Sequence, residues 1–258
     1  MKNKKNYFLI VLGWILIVMG FLGFISVISG FHPNPIAGYI AYALFAIGGF
    51  FLIKYGNRKS VFKRNDINVT QFKTLTIGTQ TWSSSNLNVS TFSNGDAILE
   101  AKTAVEWIRA GENGKPAWCC YENNLENVKI YGKLYNWFAV KDIRRIAPKG
   151  WHIPSDAEWT ILIDNLGASA GTKMKSNYGW YRDGNGTNES GFDGLPGGLR
   201  QSNGSFNDNF RYGLWWSTTE SDTHTTDALC CGLYNDDGNV GRGVNYKRIG
   251  LSVRCLMN

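Results

Sequence analysis

The first 64 residues contain no aspartate or glutamate, and no cysteine occurs before Cys119. The second absence excludes a lipoprotein-type anchor near the start, because no thiol is there to be acylated. Histidine is scarce, with only His32, His152 and His224. No G-x-S-x-G elbow and no phosphate-cradling Walker sequence occurs, which removes the usual serine-hydrolase and nucleotide-binding signatures. The adjacent pairs Cys119–Cys120 and Cys230–Cys231 lack the C-x₂-C spacing that lets one loop wrap a zinc ion. No repeat of 20–50 residues is visible, so a solenoid is excluded.

What the front of the chain does have is apolar length. Residues 8–31 and 36–53 are charge-free, about 36 Å and about 27 Å long as helices, with "HPNP" between them. A cleaved signal peptide does not fit: the first run is too long, no small-residue cleavage site follows, and a second run comes at once. The expectation is a membrane anchor over residues 1–64, a transmembrane helical hairpin with the lipid bilayer as its partner. Of 27 basic residues, eight lie in residues 1–64, leaving 19 against 20 acidic ones in residues 65–258. The net charge of +7 therefore belongs to the membrane flanks, and nucleic-acid binding loses its support. Three lysines precede the first run, none lies in the turn, and five basic residues follow the second. By the positive-inside rule this favours a two-pass protein of the bacterial inner membrane with residues 65–258 in the cytoplasm.

From about Thr74 the texture changes to Gly, Asn, Ser and Trp, with short apolar pieces between turn signals such as "GENGKP" and "DGNGTNESG". Two helices are predicted, Ala97–Gly111 and one around Trp159, with "YGKLYNWFAV" as a possible third. The fold class expected is α+β, with short irregular strands and two or three helices.

The stretch "GWHIPSDAEWTIL" carries a local structural signal. Ser155 and Glu158 form S-x-x-E, a capping box, and Pro154 sits outside the helix it would otherwise break. Trp159, Leu162, Ile163 and Leu166 share one helical face, and Gly167 suits the left-handed C-terminal position. Every residue has a helix-building role, so Glu158 reads as a cap and His152 as a packed loop residue, not as an acid and a base.

The ordered motifs "IGTQTW", "KPAWCCYENN", "YGKLYNWFAV", "APKGWHIPSDAEW", "GTKMKS", "GFDGLPGGLR", "WWSTTES" and "GLSVRCL" resemble the Fibrobacter succinogenes major paralogous domain over residues 74–257. That family is common in Bacteroidota, mostly on secreted proteins and lipoproteins, so the resemblance implies export where the charge pattern implies the cytoplasm. The pattern is also similar to the formylglycine-generating enzyme superfamily, which implies a C-type-lectin-like fold. That superfamily's closely spaced cysteine pair is missing, since only Cys255 lies in the corresponding run. In an exported domain the family motifs would suggest a Cys119–Cys255 disulfide.

Other constellations are weak. "DGNGTNESGFDG" starts like a calcium loop at Asp183 and Asn185, but it has Asn188 at the glycine position and Gly194 at the glutamate position. No catalytic residue, metal ligand or cofactor is assigned. Trp215 and Trp216 are candidates for stacking on a sugar. The function expected is a membrane-anchored, non-enzymatic recognition module for a protein or glycan. The alternatives are an enzyme derived from the formylglycine-generating fold, or an accessory subunit acting through its hairpin.

Overall fold

The computed structural model describes residues 73–258. The expected hairpin at 8–31 and 36–53 lies outside them and is not shown. Among the described residues no helix is long and apolar enough to cross a membrane.

Among the described residues twelve strands form three sheets. Strands β1 (Thr74–Ile77) and β2 (Gln80–Ser83) make a hairpin through Gly78, which takes a φ of 57°. On the far side of β2 lies β12 (Leu256–Met257), and beyond it β6 (Trp151–His152). The second sheet runs in the order β11 (Gly241–Tyr246), β10 (Asp227–Tyr234), β9 (Tyr212–Glu220), β7 (Gly197–Arg200) and β8 (Phe206–Asn209). The third is small: β3 (Leu99–Glu100), β4 (Ala117–Cys119) and β5 (Leu134–Tyr135).

Among the described residues five α-helices accompany these sheets: α1 (Ala104–Glu112), α2 (Leu125–Tyr131), α3 (Trp137–Val140), α4 (Asp156–Leu166) and α5 (Ala170–Met174). The expected α+β, lectin-like domain with two or three helices is therefore corrected to a mostly β domain with five. The segment Ala97–Gly111 divides, because β3 takes its front and the helix starts only after Thr103. There Thr103 and Glu106 close a capping box. In α2 and α3 the caps are Asn124 and Asn136, whose side chains accept from the amides of Glu126 and Ala139. Such short helices carry no apolar repeat to read; the cap and the packing hold them.

The core is divided by β9 and β10. Side chains alternate across a strand, so neighbours face opposite ways. Leu214, Trp216, Ala228 and Cys230 join one apolar cluster with Tyr135, Trp137 and Val253. Trp215, Cys231 and Leu233 join another with Trp82, Trp159 and Phe192. Paired positions match, with Cys230 opposite Trp216 and Cys231 opposite Trp215. In the second cluster the Trp82 and Trp159 rings lie 4.7 Å apart and Phe192 meets Trp215 edge-on at 5.5 Å.

One cation is buried where these parts meet. Arg254 is 2% exposed. Its guanidinium donates to the Ser83 carbonyl (2.8 Å), to Asn86 Oδ1 (2.7 Å) and to the Asp193 carbonyl (3.3 Å), and it lies over the Phe192 ring. Burial pulls Arg254 down to about 9, against the opposing charge of Asp193. Asn86 Oδ1 also accepts from the Trp215 indole (2.8 Å), and Asn86 Nδ2 donates to the Tyr131 carbonyl (2.8 Å). Replacing Asn86 by alanine leaves a buried guanidinium N–H and an indole N–H without acceptors. Asn86→Ala is expected to cost about 3–5 kcal/mol in denaturant unfolding followed by tryptophan fluorescence. A cost below about 1 kcal/mol would show that the polar junction is dispensable.

Candidate functional site

Where α3 ends, the chain turns sharply before entering β6. Lys141 is the last cap of α3, and the Asp142 carboxylate then accepts from the Arg144 amide (2.9 Å) and from the Arg144 guanidinium at 2.9 and 2.8 Å. Those bonds from Arg144 outweigh burial and hold Asp142 below the usual carboxylate range. The Arg145 amide donates to the Asp142 carbonyl (2.9 Å), and Arg145 adopts a φ of 59°. A left-handed conformation is unusual for a residue with a side chain. Ile146 and Ala147 then turn inward, and the chain reaches β6 beside β12.

This turn, β6, Thr218 and Asn258 enclose a cleft of about 590 Å³. Val140, Ile143, Ile146, Ala147, Trp151 and Ile153 supply its apolar surface. Ile143 stands at the rim 93% exposed, the most exposed of the large apolar side chains among the described residues. Two cations line the same cleft. Lys141 Nζ donates to the Thr218 carbonyl (3.3 Å), while no hydrogen bond or ion pair of the Arg145 guanidinium occurs among the described residues. The carboxylate of Asp142 is already engaged by Arg144, so the balance of charge at the opening is positive.

His152 forms the inner edge. Its Nε2 lies 2.8 Å from Glu158 Oε1 and its Nδ1 lies 2.8 Å from Asn258 Oδ1. Glu158 also closes the predicted capping box: its Oε2 accepts from the Ser155 amide (2.7 Å) and hydroxyl (2.8 Å), and the Glu158 amide donates to Ser155 Oγ. Burial pushes the Glu158 pKa up, but the bonds from Ser155 and His152 outweigh it, and the net shift is downward from 4.5. Both ring nitrogens of His152 are therefore occupied by structural partners. Ser155 Oγ donates to the carboxylate and not to the imidazole, so no nucleophile–base pair forms here. Among the described residues no group of three His, Cys, Asp or Glu is placed to hold a metal ion.

The other sequence candidates lie elsewhere. Trp215 and Trp216 are both 0% exposed, so neither can stack on a sugar, and that assignment is corrected. Strand β9 is covered on both faces, which buries the two neighbours in opposite clusters. Cys119 and Cys255 are unpaired, buried in separate clusters, and so do not form the suggested disulfide. Asn185 of the calcium-like loop accepts from the Trp180 amide, and His224 sits in an exposed loop against Thr223. Sequence reasoning missed Lys141, Ile143, Arg145 and Thr218. The one signal was "KDIRR", a charged run interrupting two apolar motifs.

Two outcomes follow from these environments. Burial raises Cys119 and Cys255 to about 12, so both thiols should resist alkylation at neutral pH in the native protein and react after unfolding. Rapid native labelling of either would contradict their placement. Glu158 has its pKa lowered on folding, so its contribution to stability is present above its unfolded value of 4.5 and is lost as the pH falls through the folded value. Glu158→Gln keeps an acceptor for Ser155, should cost about 1 kcal/mol at neutral pH, and should flatten the acid limb of the stability curve. An acid limb identical to that of the unaltered protein would show that the carboxylate is not coupled to folding.

No curated protein and no solved structure matches the chain. The model of the Fibrobacter succinogenes major domain matches residues 75–257, most of the 258-residue chain and every cleft residue except Asn258. The chain belongs to the Fibrobacter succinogenes major domain family.

Proposed function

We propose that the domain is a non-enzymatic recognition module whose ligand, a protein or a glycan, is taken by the cleft beside His152. The observation that carries this reading is the pairing of an apolar, partly enclosed cleft with a histidine whose two nitrogens are already committed. A cleft of this volume is within the range that binding sites use. It offers shape, an exposed aliphatic anchor and positive charge, but no activated nucleophile and no unengaged general base. Residues 1–64, with their charge-free runs and basic flanks, support attachment to a bilayer, so that the module would act at a membrane surface.

The test is a screen of the purified full chain against peptide and glycan arrays. Saturable binding is expected, and Ile143→Ser should weaken it about tenfold, the equivalent of losing most of one buried aliphatic side chain. Val105→Ser, at another exposed apolar position, on α1, should leave binding unchanged. Binding indifferent to Ile143→Ser, or chemical conversion of the bound ligand, would overturn the proposal.

A further inference from the structure

Resting on the reading of the cleft as a binding site, we propose that it takes an acidic peptide segment of a partner protein. One Asp or Glu carboxylate sits on Arg145, and an adjacent apolar side chain packs against Ile143.

Charge complementarity is the first argument. Of the charged groups around the opening, Asp142 is engaged in both oxygens by Arg144, and Arg144 also reaches Asp96 at 3.3 Å. Lys141 donates to the Thr218 carbonyl, lies 5.9 Å from the Trp137 ring and faces the charge of Glu220, whereas Arg145 keeps its whole guanidinium fork for a ligand. Arginine binds a carboxylate through two parallel hydrogen bonds, which fixes direction as well as charge.

Backbone geometry is the second. Arg145 takes a φ of 59°, where glycine or asparagine would sit at less cost, and the turn is held there from both sides. Its amide donates to the Asp142 carbonyl, and its carbonyl accepts from the Ser93 amide (2.8 Å). The long cationic side chain is thus presented from a fixed point, two residues from the 93% exposed Ile143.

The third argument separates peptide from sugar. Glycan sites need hydroxyl-binding amides and carboxylates with free valences and an open aromatic face. Here the Asn258 oxygen faces His152, Glu158 serves the helix cap, Asp142 serves Arg144, and the tandem tryptophans are in the core. The remaining surface is mainly aliphatic, with the half-buried Trp151 in its wall, beside a cation, which suits a carboxylate next to an apolar side chain.

The test uses fluorescence polarisation with the full chain and labelled 12-residue peptides that alternate Glu with Leu or Phe. Their Gln-for-Glu counterparts and a uronic-acid oligosaccharide serve as comparisons. Tight binding is expected for the Glu peptides alone, weakening several-fold between 50 and 300 mM NaCl. Arg145→Gln should reduce affinity about tenfold to a hundredfold, and Arg145→Lys should fall between. Arg145→Gly relieves the backbone strain, so its loss of binding cannot be assigned to misfolding.

If the Gln peptides bind equally and Ile143→Ser weakens them while Arg145→Gln does not, the cleft is a recognition site but the acidic ligand is wrong. Binding indifferent to both substitutions would overturn the reading of the cleft as well. Preference for the uronic-acid oligosaccharide, or no binding by any probe, would overturn the acidic-peptide assignment.

Discussion

The burial of Arg254 constrains the rest of the domain. A guanidinium removed from water is tolerated only where its N–H groups meet acceptors held in place. The acceptors come from Ser83 at the end of β2, from Asn86 just beyond it, and from Asp193 in the loop before β7. Asn86 in turn holds the Trp215 indole and the end of α2. Segments more than 160 residues apart in sequence thus share one hydrogen-bonded junction. Arg200 repeats the device on a smaller scale, donating to the Ala101 and Gly204 carbonyls between the rings of Trp107 and Phe206. Networks of this kind specify a single arrangement, because any slip leaves a charge unpaired.

That fixity has a consequence for the cleft. Strand β12 begins two residues after Arg254, pairs with β2 on one side and β6 on the other, and so carries His152 and Asn258 with it. The tryptophans that fill the two clusters hold β9 in place, and Thr218 on β9 closes the cleft's far wall. The turn at 141–145 is carried on this frame and bears the exposed Ile143 and the unengaged Arg145. A rigid core that presents residues on a loop is the arrangement that binding and catalytic sites both use.

Local signals were readable in the sequence, and long-range ones were not. Ser155, Glu158 and Gly167 announce α4 because a capping box and a glycine C-cap involve neighbours only. The same box at Thr103 and Glu106 was present but obscured, since the apolar residues of β3 precede it and blur the helical start. Helices α2 and α5 are too short for an amphipathic period to appear. The family likeness located the motifs but not their exposure: nothing in "WWSTTES" shows that both faces of β9 are covered. The cleft was missed for a related reason. Its walls come from residues 140–153, 218 and 258, which only the sheet pairings bring together.

The central claim is that a frame fixed by Arg254 holds the turn at 141–145 ready for a ligand without itself changing. Amide hydrogen exchange on the full chain, with and without a bound Glu/Leu peptide, tests it most directly. The amides of Ser83, Leu87, Trp216 and Cys255, which are hydrogen-bonded around the junction, should exchange slowest and be unaffected by the ligand. New protection should be confined to residues 140–153, Thr218 and Asn258. Protection centred on the 181–191 or 235–240 loops, or a large change in exchange at the Arg254 junction, would contradict the account.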